Sequence, residues 1–257
     1  MTLKFTILGC GYSMGVPRID GSFGSCDPKN RKNYRTRCSA LISSFKSNIL
    51  IDTSPDLRFQ LIKNKVKNIE KIFYTHMHAD QTHGINDLRF FYLKKRKKLP
   101  VYADKETKKY LLKTFKYCFK ATSEYPPILK INDLKKIHKF KINNQLIELK
   151  TVPVKHGQID CISYIINNKC AYASDVNNIY KKDISNFMDL NYFIVDCLRY
   201  DHHYSHFNLK EVLDLVNFIK PKKTILTNLN NQMDYNKLKK KLPQNVVPAY
   251  DGMSFLI

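Results

Sequence analysis

No apolar run in this chain approaches the ~18 residues that a membrane-spanning helix needs, and none of its seven cysteines forms a C-x-x-C pair. The first absence argues against a membrane protein. The cysteines (Cys10, Cys26, Cys38, Cys118, Cys161, Cys170 and Cys197) are odd in number and scattered, which argues against a disulfide framework or a cysteine-built zinc site and fits a reducing compartment. The stretch from Met1 to Gly9 lacks a charged segment followed by an apolar one, so no export signal is read there and a cytoplasmic protein is expected. Internal repeats and low-complexity segments are also missing. A chain of 257 residues with 43% hydrophobic content can bury one sizeable core, so a single domain over 1-257 is expected.

Acidic residues are scarce: 22 Asp and Glu face 44 Lys and Arg, a formal net charge of +22. Such a field attracts phosphate-bearing molecules and speeds their encounter. Lysine is accompanied throughout by abundant asparagine and isoleucine, a mark of compositional bias, and the basic residues do not gather in one tail. The runs Lys94 to Lys98 and Lys237 to Lys241 therefore suit solvated faces or helix ends, while RNA stays open as a partner. The sequence sets no oligomeric state, and a homodimer is compatible with it.

Alternating or continuous apolar residues predict strands at 3–8, 39–43, 49–52, 71–75, 101–103, 146–154, 162–166, 170–174, 192–196 and 224–227. Three- and four-residue spacing predicts helices over 56–66, 105–119, 209–219 and 235–242, with Pro55 and Asn208 suited to helix starts. The segment 182–186 and Pro126-Pro127 read as connectors. Strands and helices interleaved in this way predict an α/β layered domain. The loop Gly9-Cys-Gly-Tyr-Ser-Met-Gly15 has the wrong spacing for a dinucleotide fingerprint and leads to Pro17, not to a helix, so a tight turn is its reading.

The strongest chemical signal is Phe73-Tyr-Thr-His76-Met-His78-Ala-Asp80-Gln-Thr-His83-Gly84, directly after an apolar strand. In a tight loop at a strand end, His76 and His78 can point the same way. Two imidazoles with a nearby carboxylate, Asp80, are the donors that borderline-soft divalent metals prefer. A single histidine would read as structural; His-x-His-x-Asp in this setting points to metal binding.

This motif, with Leu8-Gly-Cys-Gly-Tyr-Ser-Met-Gly-Val-Pro17, Ile49-Leu-Ile-Asp-Thr-Ser-Pro-Asp-Leu-Arg58, the continuation Gly84-Ile-Asn-Asp-Leu-Arg89 and Ala249-Tyr-Asp-Gly-Met253, resembles the metallo-β-lactamase superfamily over nearly the whole chain. It is most similar to the phosphodiesterase branch that includes the cyclic phosphodiesterase of phosphonate breakdown and, more distantly, the tRNA 3′-processing endonucleases. The resemblance implies a four-layer αββα metallo-β-lactamase-like sandwich. It also implies His156 as the third metal histidine, Asp175 as a bridging carboxylate, Asp52 as a residue that orients ligands, and His206 as a group assisting the leaving group. Read from their own residues alone, His156 suits a surface loop, and Asp52 and Asp175 suit turn or helix caps, equally well. His202 and His203 read as exposed loop residues and His138 as structural. Cys26 and Cys38 bracket a basic loop, but relatives with an extra zinc there carry more cysteines, so no structural zinc is expected.

Two departures from the family pattern stand out. Two-metal relatives carry histidine after the motif aspartate and after the threonine of the late strand; here those positions hold Gln81 and Asn228. His76, His78, His156 and Asp175 still make a nitrogen-rich first site suited to zinc. The second site would draw on Asp80, Asp175 and the amide oxygens of Gln81 and Asn228, and is expected either to be empty or to take a harder ion such as manganese or magnesium. Rearrangement of His83 into that site is a third option. The expected activity is a metal-dependent hydrolase of a small cyclic or activated phosphodiester, with a metal-activated hydroxide oriented by Asp80. The alternatives are an RNA-processing phosphodiesterase and a noncatalytic or decayed binding protein with an impaired second site.

Overall fold

The computed structural model describes residues 3–45, 47–143 and 145–257. Two seven-stranded sheets carry the described chain. The first runs β14 (Ser254–Leu256), β1 (Lys4–Gly9), β2 (Ser39–Ser44), β3 (Ser47–Ile51), β4 (Lys71–Phe73), β5 (Leu99–Ala103), β6 (Leu129–Asp133). Pairing is antiparallel up to β3 and parallel from there to β6. The second runs β13 (Val246–Pro248), β12 (Lys223–Thr227), β11 (Tyr192–Asp196), β10 (Cys170–Ala173), β9 (Ile159–Ile166), β8 (Gln145–His156), β7 (Ile137–Ile142). It is parallel from β13 to β10 and antiparallel beyond.

Because side chains alternate across a strand, continuous apolar runs mark strands covered on both faces. Tyr172, Ile194 and Ile225 enter the layer between the two sheets, where they meet Phe5, Ile49, Ile51 and Phe73. Their neighbours Ala171, Ala173, Val195 and Leu226 face outward onto α6 (Leu209–Ile219) and α7 (Tyr235–Lys241) through Val212, Val216 and Leu238. The short α2 (Ala79–Thr82) follows β4, and Leu50, Ile72 and Val101 of the first sheet pack against α1 (Leu57–Lys63), α3 (Arg89–Lys95) and α4 (Lys105–Thr114) through Leu57, Leu61, Phe91 and Leu111. The result is the αββα sandwich.

Every strand read from the sequence is present, β11 with the expected bounds and the others with shifted ends. The fourth stops at Phe73, not at residue 75, because the Thr75 amide and hydroxyl bind the Asp52 carboxylate in place of a neighbouring strand. The helix expected over 105–119 divides into α4 and α5 (Lys116–Phe119): Phe115 leaves the helical region at φ −115° and ψ 38° and buries its ring. Residues 182–186 are not a bare connector but part of a 3₁₀ helix, Lys181–Phe187, which plants Phe187 in the core. Asn208 starts α6 with a full capping box to Glu211, as its residue type predicts. Pro55 precedes α1, where Asp56 makes no cap because its carboxylate holds Arg37.

The topology brings the ends of β3, β4, β8, β10, β11 and β12 to one edge of the sandwich. Asp52, His76, His156, Asp175, Asp196 and Asn228 all sit at those ends, the usual place for a site in sheets with parallel strands.

Candidate metal centre

His76 Nε2 lies 3.0 Å from His78 Nδ1, and His156 Nε2 lies 3.3 Å from the same atom. The network around the rings fixes which nitrogens carry protons. Thr75 Oγ1 donates to Asp52 Oδ2 at 2.9 Å, so at 3.0 Å from His76 Nδ1 it accepts that ring's N–H. The Ser205 carbonyl, 2.7 Å from His156 Nδ1, accepts the N–H there. His76 and His156 therefore both aim Nε2 lone pairs at His78 Nδ1, which can satisfy only one. Three nitrogens at these separations match the edges of a tetrahedron around zinc, ~3.3 Å for Zn–N bonds of 2.0–2.1 Å. The donor set fits a cation.

Charge state agrees with that fit. Burial pushes the His76 imidazole down to about 3 against the pull of Asp175, and burial likewise lowers His78 and His156. Neutral imidazole is the form that binds metal. His76 and His156 are buried while His78 is exposed, so the cluster is open to solvent on one side. That side is a cavity of about 430 Å³ whose wall includes His78, Asp80, His156, Asp175, His206 and Asn228.

Asp52 acts through Thr75, not by touching a ring: it accepts from the Thr75 amide at 2.8 Å and from the hydroxyl at 2.9 Å. Asp52→Asn would put an amide N–H against that hydroxyl, reverse its direction, and turn the His76 proton toward the cluster. Zinc affinity is expected to drop about 10- to 100-fold, read by competition with a chromophoric chelator; unchanged affinity would show that Thr75 does not set the ring.

Asp175, His156 and His206 offer a second group of donors within 4.8 Å of one another. Burial would raise the Asp175 carboxyl, but the surrounding imidazoles of His76, His156 and His206 hold it low. Asp80, half-buried on the same cavity, is pushed up by burial and by Asp175. Gln81 and Asn228 do not present oxygen donors here. Gln81 Nε2 donates to Asp175 Oδ2 at 2.8 Å, and Asn228 Nδ2 reaches Asp175 Oδ1 at 3.2 Å and the Ser174 carbonyl at 3.0 Å. The Asp175 carboxylate, and for Asn228 the Ser174 carbonyl as well, orient both amides nitrogen-first.

His206 faces the cavity with Nδ1 held 2.6 Å from Asp196 Oδ2. Burial alone would lower this imidazole; Asp196, with help from Asp175 and Asp80, raises it to about 9. Asp196 is fully buried and was missed in the sequence, although it ends an apolar strand just as Asp175 does. His203 is also not the exposed loop residue expected: it is half-buried and lines the cavity beside His206, their rings 5.1 Å apart. His202 is exposed as expected, paired with Glu211. His83 is exposed and packs edge-on against Phe115, away from the cluster. His138 is buried against Phe73 and Tyr102, a structural role. Cys26 lies near Arg35 and Cys38 near Thr227; Asp234, Asn33 and Arg35 knit the loop after Cys26 by hydrogen bonds.

A family model described as a β-lactamase superfamily domain matches residues 47–227, from β3 through the His76 motif and Asp175 to the end of β12. The chain belongs to the β-lactamase superfamily. Within the superfamily, its fold superposes on the crystal structure of a diphosphatase from the PhnP family with a TM-score of 0.90 and 27% identity, covering 100% of this chain and 98% of that one. Human tRNase Z, short form, shares the fold at a TM-score of 0.68 and 15% identity, with 98% of each chain covered. An octanoyltransferase of Porphyromonas gingivalis (strain ATCC BAA-308 / W83) is 27% identical over 260 residues, 99% of this chain and 52% of the relative. The chain thus spans about half the length of that curated relative. No helix among the described residues is long and apolar enough to cross a membrane.

Proposed function

We propose that this superfamily member is a metal-dependent phosphohydrolase acting on a small cyclic or activated phosphodiester, with zinc held by His76, His78, His156 and Asp175. The observation that carries the reading is the convergence of His76 Nε2, His156 Nε2 and His78 Nδ1 on one point, beside the His206–Asp196 pair. Full-length similarity to a PhnP-family diphosphatase supports the substrate class. Bound there, a divalent ion would supply Lewis acidity toward a phosphoryl oxygen and lower the pKa of water from ~16 toward ~7. Asp80, whose proton affinity burial and Asp175 increase, accepts the proton of the attacking water. His206 keeps its Nδ1 proton on Asp196 and uses Nε2 to protonate the departing oxygen. The nitrogen-first amides of Gln81 and Asn228 support one ion per chain, since they turn N–H donors, not lone pairs, toward the second site and leave Asp175 its other lone pairs for the first ion.

The test is metal analysis of the purified protein with bis-p-nitrophenyl phosphate hydrolysis before and after chelation. Metal-dependent turnover is the expected result; metal binding without turnover would favour the decayed, noncatalytic alternative. His206→Gln is expected to slow an alkyl or nucleotide diester about 10²- to 10⁴-fold and the p-nitrophenyl ester less, because p-nitrophenolate departs without a proton. Equal losses on both would remove His206 from the leaving-group role.

The net charge of +22 favours one second reading, RNA cleavage, in which affinity would fall steeply with salt. The octanoyltransferase name belongs to a relative about twice this chain's length. The cavity here offers clustered imidazoles and carboxylates, and every cysteine is buried. The unpaired cysteines support a reducing, cytoplasmic setting.

A further inference from the structure

A second, larger groove of about 850 Å³ lies beside the histidine cavity, and Met14 and Arg18 line both. We infer that this groove is a subsite for the rest of the substrate, built for a nucleoside 5′-diphosphate group: Arg18 takes the phosphate next to the reacting one, and the base rests on Tyr34 and Phe59. The assignment depends on the neighbouring cavity being the hydrolytic centre.

Arg18 is held in place at the shared wall. Its Nε donates to the Tyr12 hydroxyl at 2.7 Å and its Nη2 to Asn231 Oδ1 at 3.4 Å, and both partners line the histidine cavity. Neither partner is charged, so the guanidinium keeps its full charge and most of its five N–H donors for an anion. The groove's two carboxylates are already engaged. Asp56 binds Arg37 through both oxygens, and Asp251 accepts from Cys10 and from the Thr36 amide and hydroxyl.

The far part of the groove combines rings and cations. Tyr34 is 38% and Phe59 57% exposed, large values for aromatic side chains with no role in the core. The Arg31 guanidinium sits 5.6 Å from the Tyr34 ring centre, and the Lys63 ammonium 5.9 Å from that of Phe59. Solvent-facing aromatics, each with a cation over one face and close to a guanidinium bonded only to uncharged groups, form a surface that binds stacked bases and phosphates together. A simple phosphate would use neither ring, and an apolar ester would leave three cations unpaired.

The experiment is calorimetric titration of the zinc-loaded full chain with ADP, AMP and inorganic pyrophosphate, independent of turnover. ADP is expected to bind at least about 10-fold more tightly than either of the others, since only it engages the zinc, Arg18 and the rings at once. Arg18→Ala is expected to weaken ADP and AMP alike, by about 10-fold, with Arg18→Lys restoring part of the affinity. Phe59→Ala is expected to weaken ADP about 10-fold and leave pyrophosphate binding as it was. Zinc content and melting temperature report that each variant is folded. Equal ADP and AMP affinities in the wild type, or an ADP affinity unchanged in Arg18→Ala, would overturn the assignment. A single-stranded oligonucleotide that binds more tightly than ADP with a steep salt slope would overturn it in favour of an RNA tract. ADP binding without any phosphodiester hydrolysis would sink the hydrolase reading while leaving the subsite intact.

Discussion

Replacing His76 with alanine is expected to cost the protein its bound ion and about 10³-fold or more of its hydrolytic rate. His76 supplies one of the three nitrogens at the cluster, and a water in its place is a weaker donor than an imidazole held in register by Thr75. Lewis acidity and water activation are together worth several kcal/mol, and each 1.36 kcal/mol is a factor of ten in rate. The ring also donates to Thr75 and lies 3.6 Å from Cys161, so truncation opens a small cavity in the wall of the site. Chelated wild type therefore serves as the stability reference. If the variant melts with the chelated wild type and holds no zinc, the loss of activity belongs to the ion. Activity that persists in His76→Ala would refute the assignment of this cluster as the hydrolytic centre.

The sequence and the structure agree where local chemistry suffices and part where distant groups decide. His76, His78 and Asp80 were legible because a strand end, a tight loop and three donor types sit within five positions. His156 and Asp175 lie far along the chain from that loop, and only a family resemblance connected them to it. The long parallel strands were readable because apolar runs such as Tyr192–Val195 are covered on both faces. The three-residue strands β13 and β14 carry too few residues for a period to show. Helix α3 was hidden for another reason: it exposes Phe90 and Leu93 while burying Phe91, which blurs its apolar stripe. Asp196 went unread because its significance lies in a bond to His206, ten residues away across a loop.

The amides were the subtlest case. Gln81 and Asn228 could be recognised from sequence as departures, but whether oxygen or nitrogen faces the site depends on Asp175 and the Ser174 carbonyl, which no spacing reveals. Their orientation turns a candidate second metal site into a hydrogen-bonded clamp. Asp175 receives N–H groups from two sides, so the positive ends of amide dipoles stand where a cation would stand.

That clamp yields a large and unusual expected effect. Gln81→His with Asn228→His is expected to raise metal content from about one ion per chain to about two, because two lone pairs replace the two N–H donors that face the Asp175 oxygens. The backbone permits it. Asn228 sits at φ 58°, a left-handed conformation that histidine adopts more readily than most residues. Gln81 Oε1 is buried with no hydrogen-bond partner among the described residues, so its removal forfeits no bond. Either single change should fall well short of the double, since the remaining amide still holds one oxygen of Asp175; the two substitutions share one partner and are not additive. Elemental analysis after dialysis against excess zinc reads the stoichiometry directly. Two ions in the wild type would show that the amides yield to a second cation, and one ion in the double variant would show that something other than Gln81 and Asn228 keeps it out.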